Sequence, residues 1–250
     1  MVHREDSRRS RSFLGDRLIG PPTHLGAAVV AILIVFAAPS PFASAATVPF
    51  TEDFSTDSAN WRDAAGVNPL GWVSTGGPDG GAFARGTFSF ASSGVQDTPA
   101  VFRGQSSNGS SGGAFAGDWL GGGVTEFRAM VRHDASTDLT FFGRFASPFN
   151  FPAMVAVFPT VVPPNEWTPV SVLLAPSNFI AEGPSTFNGV FGNVGNVQLG
   201  VLAGPLAGSP GTVTFDLDKV RIVPEPATLG LLAMGSWVAL RRRDRRSSAS

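Results

Sequence analysis

Gly109, Ser111 and Gly113 stand in the Gly-x-Ser-x-Gly spacing of a nucleophile elbow, and Asp118 and His133 follow in the chain order of a hydrolase triad. Such a serine needs a strand before it and a helix after it, so that its hydroxyl is presented on a sharp turn. Here it sits in a glycine- and serine-rich stretch, residues 104–123, that carries neither signature. His133 lies between Arg132 and Asp134 at the end of an alternating run, where a paired or solvent-facing imidazole is ordinary. Fourteen acidic side chains between residues 46 and 223 could supply a glycosidase pair, but nothing in their spacing selects two of them. These residues predict a protein that is not an enzyme.

Binding chemistry is better represented. Glu52 and Asp53 open the first extended segment, while Asp216 and Asp218 lie in the last. Where the first and last strands run side by side, four such carboxylates make a hard-oxygen site suited to calcium. The competing reading leaves Asp216 and Asp218 on a wet face opposite Phe215 and Leu217. No other cofactor is implied. Trp61, Trp72, Trp119 and Trp167 add a second possibility, since indole rings stack on sugar faces as readily as they fill cores. Trp72, beside Gly71, and Trp119, within the glycine-rich 117–123, are the two expected at the surface as a glycan platform.

The elements that must position these groups are strands. Thirty glycines and twenty prolines in 250 residues oppose helical bundles, and 21 phenylalanines supply a core. There is no cysteine, so disulfides and thiolate metal sites are excluded. Thr125, Phe127, Ala129 and Val131 alternate with Glu126, Arg128 and Arg132; Leu139, Phe141, Gly143 and Phe145 form a second row. Further rows are Val170, Val172 and Leu174; Val197, Leu199 and Val201; and Val213, Phe215 and Leu217. Period-two alternation broken by Gly, Pro, Asn and Ser turns predicts nine to eleven strands and no helix, hence an all-β, antiparallel jelly-roll-like β-sandwich over residues 46–223. That region carries 14 acids against 8 bases, a net charge of −6, which opposes a nucleic-acid partner.

Both ends read as targeting segments. Arg4, Arg8, Arg9, Arg11 and Arg17 precede an apolar run at residues 25–38, and Ala43-Ser44-Ala45 supplies the small-x-small step before Ala46. As a helix the run spans about 21 Å against a bilayer core of about 30 Å, so residues 1–45 are expected to be a cleaved signal peptide. Its partners would be the Sec translocon and signal peptidase, with Ser7-Arg8-Arg9 raising a twin-arginine route as the alternative. At the other end, Val223-Pro224-Glu225-Pro226 leads through Thr228 and Leu229 into an apolar run, residues 229–240. Arg241, Arg242 and Arg243 close it; residues 247–250 are left as a tail. The prolines hold the Pro-Glu-Pro step extended, the run is expected to insert in a membrane as a short helix, and the arginines stay on the cytoplasmic side.

Val223, Pro224, Glu225, Pro226, Thr228 and Leu229, followed by the apolar run and the arginine cluster, closely resemble the PEP-CTERM sorting signal of Gram-negative bacteria. The resemblance implies recognition by a membrane-embedded exosortase, an inner-membrane intermediate and delivery to the cell surface, in a family associated with exopolysaccharide and biofilm. Gly117-Asp118-Trp119, the Phe127 to Asp134 strand, Glu166-Trp167-Thr168 and the Phe215 to Val220 strand resemble the β-sandwich ectodomains that precede this tail, similar in architecture to carbohydrate-binding modules. The expected role is structural or adhesive within the exopolysaccharide layer; the alternative is a lectin-like, carbohydrate-binding module.

Overall fold

The computed structural model describes residues 45–225. The signal-peptide residues up to Ser44, Ala43 among them, and the sorting-tail residues from Pro226, including Thr228, Leu229, Arg241, Arg242 and Arg243, lie outside the described residues. Among the described residues no helix is long and apolar enough to cross a membrane.

Among the described residues eleven strands form two antiparallel sheets, in agreement with the all-β sandwich read from the alternation. One sheet runs β2 (Gly71–Val73), β3 (Phe83–Ser89), β11 (Thr212–Pro224), β5 (Val124–His133), β8 (Thr168–Leu173). The short β1 (Phe50–Glu52) continues the β3 side of β11, pairing Phe50 with Ile222. The other sheet runs β4 (Ala100–Gln105), β10 (Asn196–Val201), β6 (Leu139–Ala146), β7 (Ala153–Val162), β9 (Ile180–Glu182).

The alternating rows face one another across the sandwich. Phe127 on β5 meets Phe145 on β6 with ring centroids 5.1 Å apart, and Phe215 on β11 meets Phe141 at 6.1 Å and Phe102 at 6.4 Å. Each ring so buried contributes about 1.5–3 kcal/mol relative to exposure, which explains how a cysteine-free chain holds two sheets together. One departure from the expected pattern stands out. A five-residue helix, α1 (Phe187–Phe191), starts where the Thr186 hydroxyl accepts the Gly189 amide at 3.1 Å and buries Val190 and Phe191. The glycine-rich stretch after β4 is pinned to the sandwich. Ser110 donates through its hydroxyl to the Asn60 carbonyl at 2.8 Å, and Ser111 is buried.

Candidate functional site

Register across the five-stranded sheet builds a row that no single strand reveals. Arg103 pairs with Gln198, Gln198 with Arg144, Arg144 with Val155 and Val155 with Ile180, so five strands contribute one outward side chain each at the same level. A second row, Ala100, Gly200, Phe142 and Val157, lies beside it. Gly200 is required there, because a Cβ would come within 2.3 Å of the Phe142 ring. Together the rows floor a cleft of about 460 Å³, closed by Thr98, Asn150, Glu182 and Leu202.

The polar half of this cleft is fixed before any ligand arrives. Arg144 donates from Nε and Nη2 to the two Glu182 carboxylate oxygens, both at 2.8 Å. Its Nη1 donates to Asn150 Oδ1 at 2.8 Å and Nη2 to the Asn150 carbonyl at 2.9 Å; Gln198 Nε2 donates to the same Asn150 Oδ1 at 2.9 Å. A bidentate, charge-assisted network of this kind holds planar groups in place with little entropy left to lose. Arg103 donates from Nε to the Ala64 carbonyl at 2.7 Å and makes no ion pair among the described residues. Burial and the neighbouring Arg144 guanidinium pull Arg103 below its ordinary value. The apolar half is Val155, Val157, Ile180 and Leu202, with Ile180 67 % exposed. Asn150 sits in the turn between β6 and β7, flanked by Phe149, 93 % exposed, and Phe151, 49 % exposed.

The sites expected from the sequence are distributed elsewhere. Trp119 is fully buried, its indole nitrogen donating to the Phe115 carbonyl at 2.7 Å and its ring stacked on Phe127, so it cannot serve a surface platform. Its glycine neighbours suggested exposure; they instead let the chain fold back over the core. Trp72 is 43 % exposed on β2, on the other sheet, with its nitrogen donating to the Phe54 carbonyl at 2.8 Å.

The four-carboxylate calcium clamp is not assembled as expected. Asp216 lies directly between Arg85 on β3 and Arg132 on β5 in register, and both guanidiniums donate to it, at 2.7 and 2.8 Å. Glu52 accepts the Phe54 amide and Asp53 accepts the Ser55 amide. Asp218 is 2 % exposed rather than on a wet face, and accepts the Lys219 amide at 2.7 Å. Among the described residues no three His, Cys, Asp or Glu side chains are placed to hold a metal ion. Burial pushes the Asp218 carboxyl up to about 6, and the charges of Asp79 and Asp53 push in the same direction.

The hydrolase order does not become a triad either. Ser111 Oγ accepts the Trp61 indole nitrogen at 2.8 Å, and Asp118 accepts the Gly121 amide at 2.8 Å. His133 Nε2 lies 2.9 Å from the Val162 carbonyl, with its ring against Phe141 and Phe215. Burial lowers the His133 pKa below its ordinary value. Of the residues that form the cleft, none was singled out from the sequence. Phe149 and Phe151 left a signal, two large apolar residues in a Pro-Phe-Asn-Phe-Pro turn that alternation does not explain.

At the ends of the described chain, Ala45 bridges Asp118 and Ala46 packs into the core. Val223 and Pro224 belong to β11. Residues 223–246 match the PEP-CTERM protein-sorting motif. The molecule is thus a β-sandwich joined directly to a sorting signal. That signal marks an exported protein, processed by exosortase and sorted through the membrane to the cell surface.

No curated protein matches the chain. Among solved structures it is similar to the CBM22-1–GH10 modules of xylanase Xyn10B from Clostridium thermocellum, complexed with xylohexaose, at 16 % identity and a TM-score of 0.44 over 71 % of this chain and 28 % of that one. It is also similar to an exo-beta-agarase at 10 % identity and 0.46, over 71 % and 26 %, so it spans only about a quarter of the length of these two. A third is the family 11 carbohydrate-binding module of cellulase Lic26A-Cel5E from Clostridium thermocellum, at 11 % identity and 0.40, over 72 % and 97 %.

Proposed function

We propose that this protein is a non-catalytic saccharide-binding module, displayed at the cell surface, that attaches to polysaccharide of the surrounding matrix through the cleft on its five-stranded sheet. The observation that carries the reading is the two-sided lining of that cleft. A fixed guanidinium–carboxylate–amide network lies beside a strip of half-exposed aliphatic side chains. A pyranose presents the same two characters, a ring of hydroxyls that both donate and accept and an apolar face of C–H groups. The cleft is within the size range of small-ligand sites and open along the sheet, which suits a chain polymer. Arg103, half-buried and without an acid partner among the described residues, adds a donor that favours uronate carboxylates over neutral hydroxyls.

The structural role in an exopolysaccharide layer follows from such binding combined with surface display, and needs no turnover. Titration of the exported, processed protein with a panel of neutral and uronate-containing oligosaccharides tests it. Arg103→Gln and Ile180→Ser are each expected to weaken binding about tenfold, roughly 1.4 kcal/mol. Trp72→Ala is expected to leave it unchanged. Binding that survives both cleft substitutions and is lost on Trp72→Ala would move the site to the other sheet.

A further inference from the structure

The last strand does not stop short of the sorting motif. Val223 is in register with Glu126 and Pro224 with Val124, on the β5 side of β11. The Val223 carbonyl accepts the Thr125 hydroxyl at 3.3 Å, and the Glu225 amide donates to the Gly123 carbonyl at 3.1 Å. Pro224, the first proline of Pro-Glu-Pro, is buried, and Ile222, two residues before it, is paired on both sides, with Phe50 of β1 and Phe127 of β5. The side chain of Glu225 is exposed. No linker separates the folded sheet from the motif.

A peptidase takes its substrate as an open, extended segment, with the backbone groups around the scissile bond free to bind the enzyme. The Ile222–Val223, Val223–Pro224 and Pro224–Glu225 bonds are not free in the folded domain, because their flanking groups are engaged by β5 or buried. We infer that the peptide bond broken when this chain is sorted lies on the C-terminal side of Glu225. The inference takes from the sorting motif only that exosortase processes the chain. In that step the scissile C–N bond breaks, the carbonyl carbon takes on a nucleophile, water or an amine, and the leaving nitrogen takes up the proton. Glu225 and the buried Pro224 stay with the sandwich, so β11 keeps its full pairing in the product and the cleft is displayed on an intact fold.

The full-length chain, produced in a host that processes other proteins bearing this motif, gives the answer by intact-mass analysis of the mature C-terminus. A terminal residue numbered 225 or higher is expected. A terminus at Pro224 or earlier overturns the inference, as does a chain that stays uncut in that host. Hydrogen exchange on the same product supplies a second reading: the Glu225 amide is expected to exchange at least tenfold more slowly than an unpaired amide of the same sequence. Exchange at the unpaired rate also overturns it.

Discussion

Ser111 shows how a motif acquires a different meaning once its partners are known. The hydroxyl that the Gly-x-Ser-x-Gly spacing offers as a nucleophile is the acceptor for Trp61, and Trp61 lies so close to β4 that a Cβ on Gly104 would come within 2.7 Å of its ring. Removing the hydroxyl strands a buried indole N–H, at a cost of about 1–3 kcal/mol. Ser111→Ala is therefore expected to lower the thermal midpoint by several degrees while leaving saccharide binding intact. A variant with unchanged stability and lost function would restore the serine to chemistry. The alternating rows face the core as their spacing predicts, whereas Trp119 is buried against expectation, because glycine neighbours indicate a turn and not which side of it the ring takes.

At the scale of the element, β11 concentrates the charge that the core has to tolerate. Its register brings Arg85 and Arg132 to either side of Asp216, which is neutralised there, and a break in register between Asp218 and Arg221 places Lys219 at a positive φ of 49°. Asp218 has no guanidinium beside it. Its carboxyl is raised from 3.8 to about 6, so between those values the folded state holds a proton that the unfolded chain has released. Stability from this group is complete below about pH 4 and is lost as pH rises through 6, by up to about 3 kcal/mol. Asp218→Asn should raise the thermal midpoint at pH 8 in a chelator and change it little near pH 4. A lower midpoint at pH 8 would mean that the ionised carboxylate itself stabilises the fold, through the Lys219 amide that it accepts.

Alternation could not foresee this. It assigns a face to Asp216 and Asp218, yet burial on that face depends on which side chains the neighbouring strands bring alongside, and β3 and β11 are far apart in the chain. The same limit hid the cleft. Arg103, Gln198, Arg144, Val155 and Ile180 come from five strands spread between residues 100 and 201, and only register places them in one row. The short α1 escaped for another reason: a single capped turn is too brief to show helical periodicity.

The whole molecule joins two kinds of sequence. The tail is legible as a linear motif because an enzyme recognises it as one, and residues 223–246 carry it. The sandwich has no such motif; the function proposed for it depends on a surface assembled by pairing. Over residues 46–223 the net charge of −6 opposes diffuse attraction of acidic polymer, whereas Arg103, without an ion pair among the described residues, offers the proposed cleft a local contact for it. The most direct measurement is a residue-by-residue map of backbone amide shifts in the exported, processed protein as uronate-containing oligosaccharide is added. Saturable changes confined to Arg103, Arg144, Asn150, Val157, Ile180, Gln198 and their immediate neighbours are expected. Changes centred on Trp72 and the six-stranded sheet, or none at any saccharide concentration, would contradict the binding role.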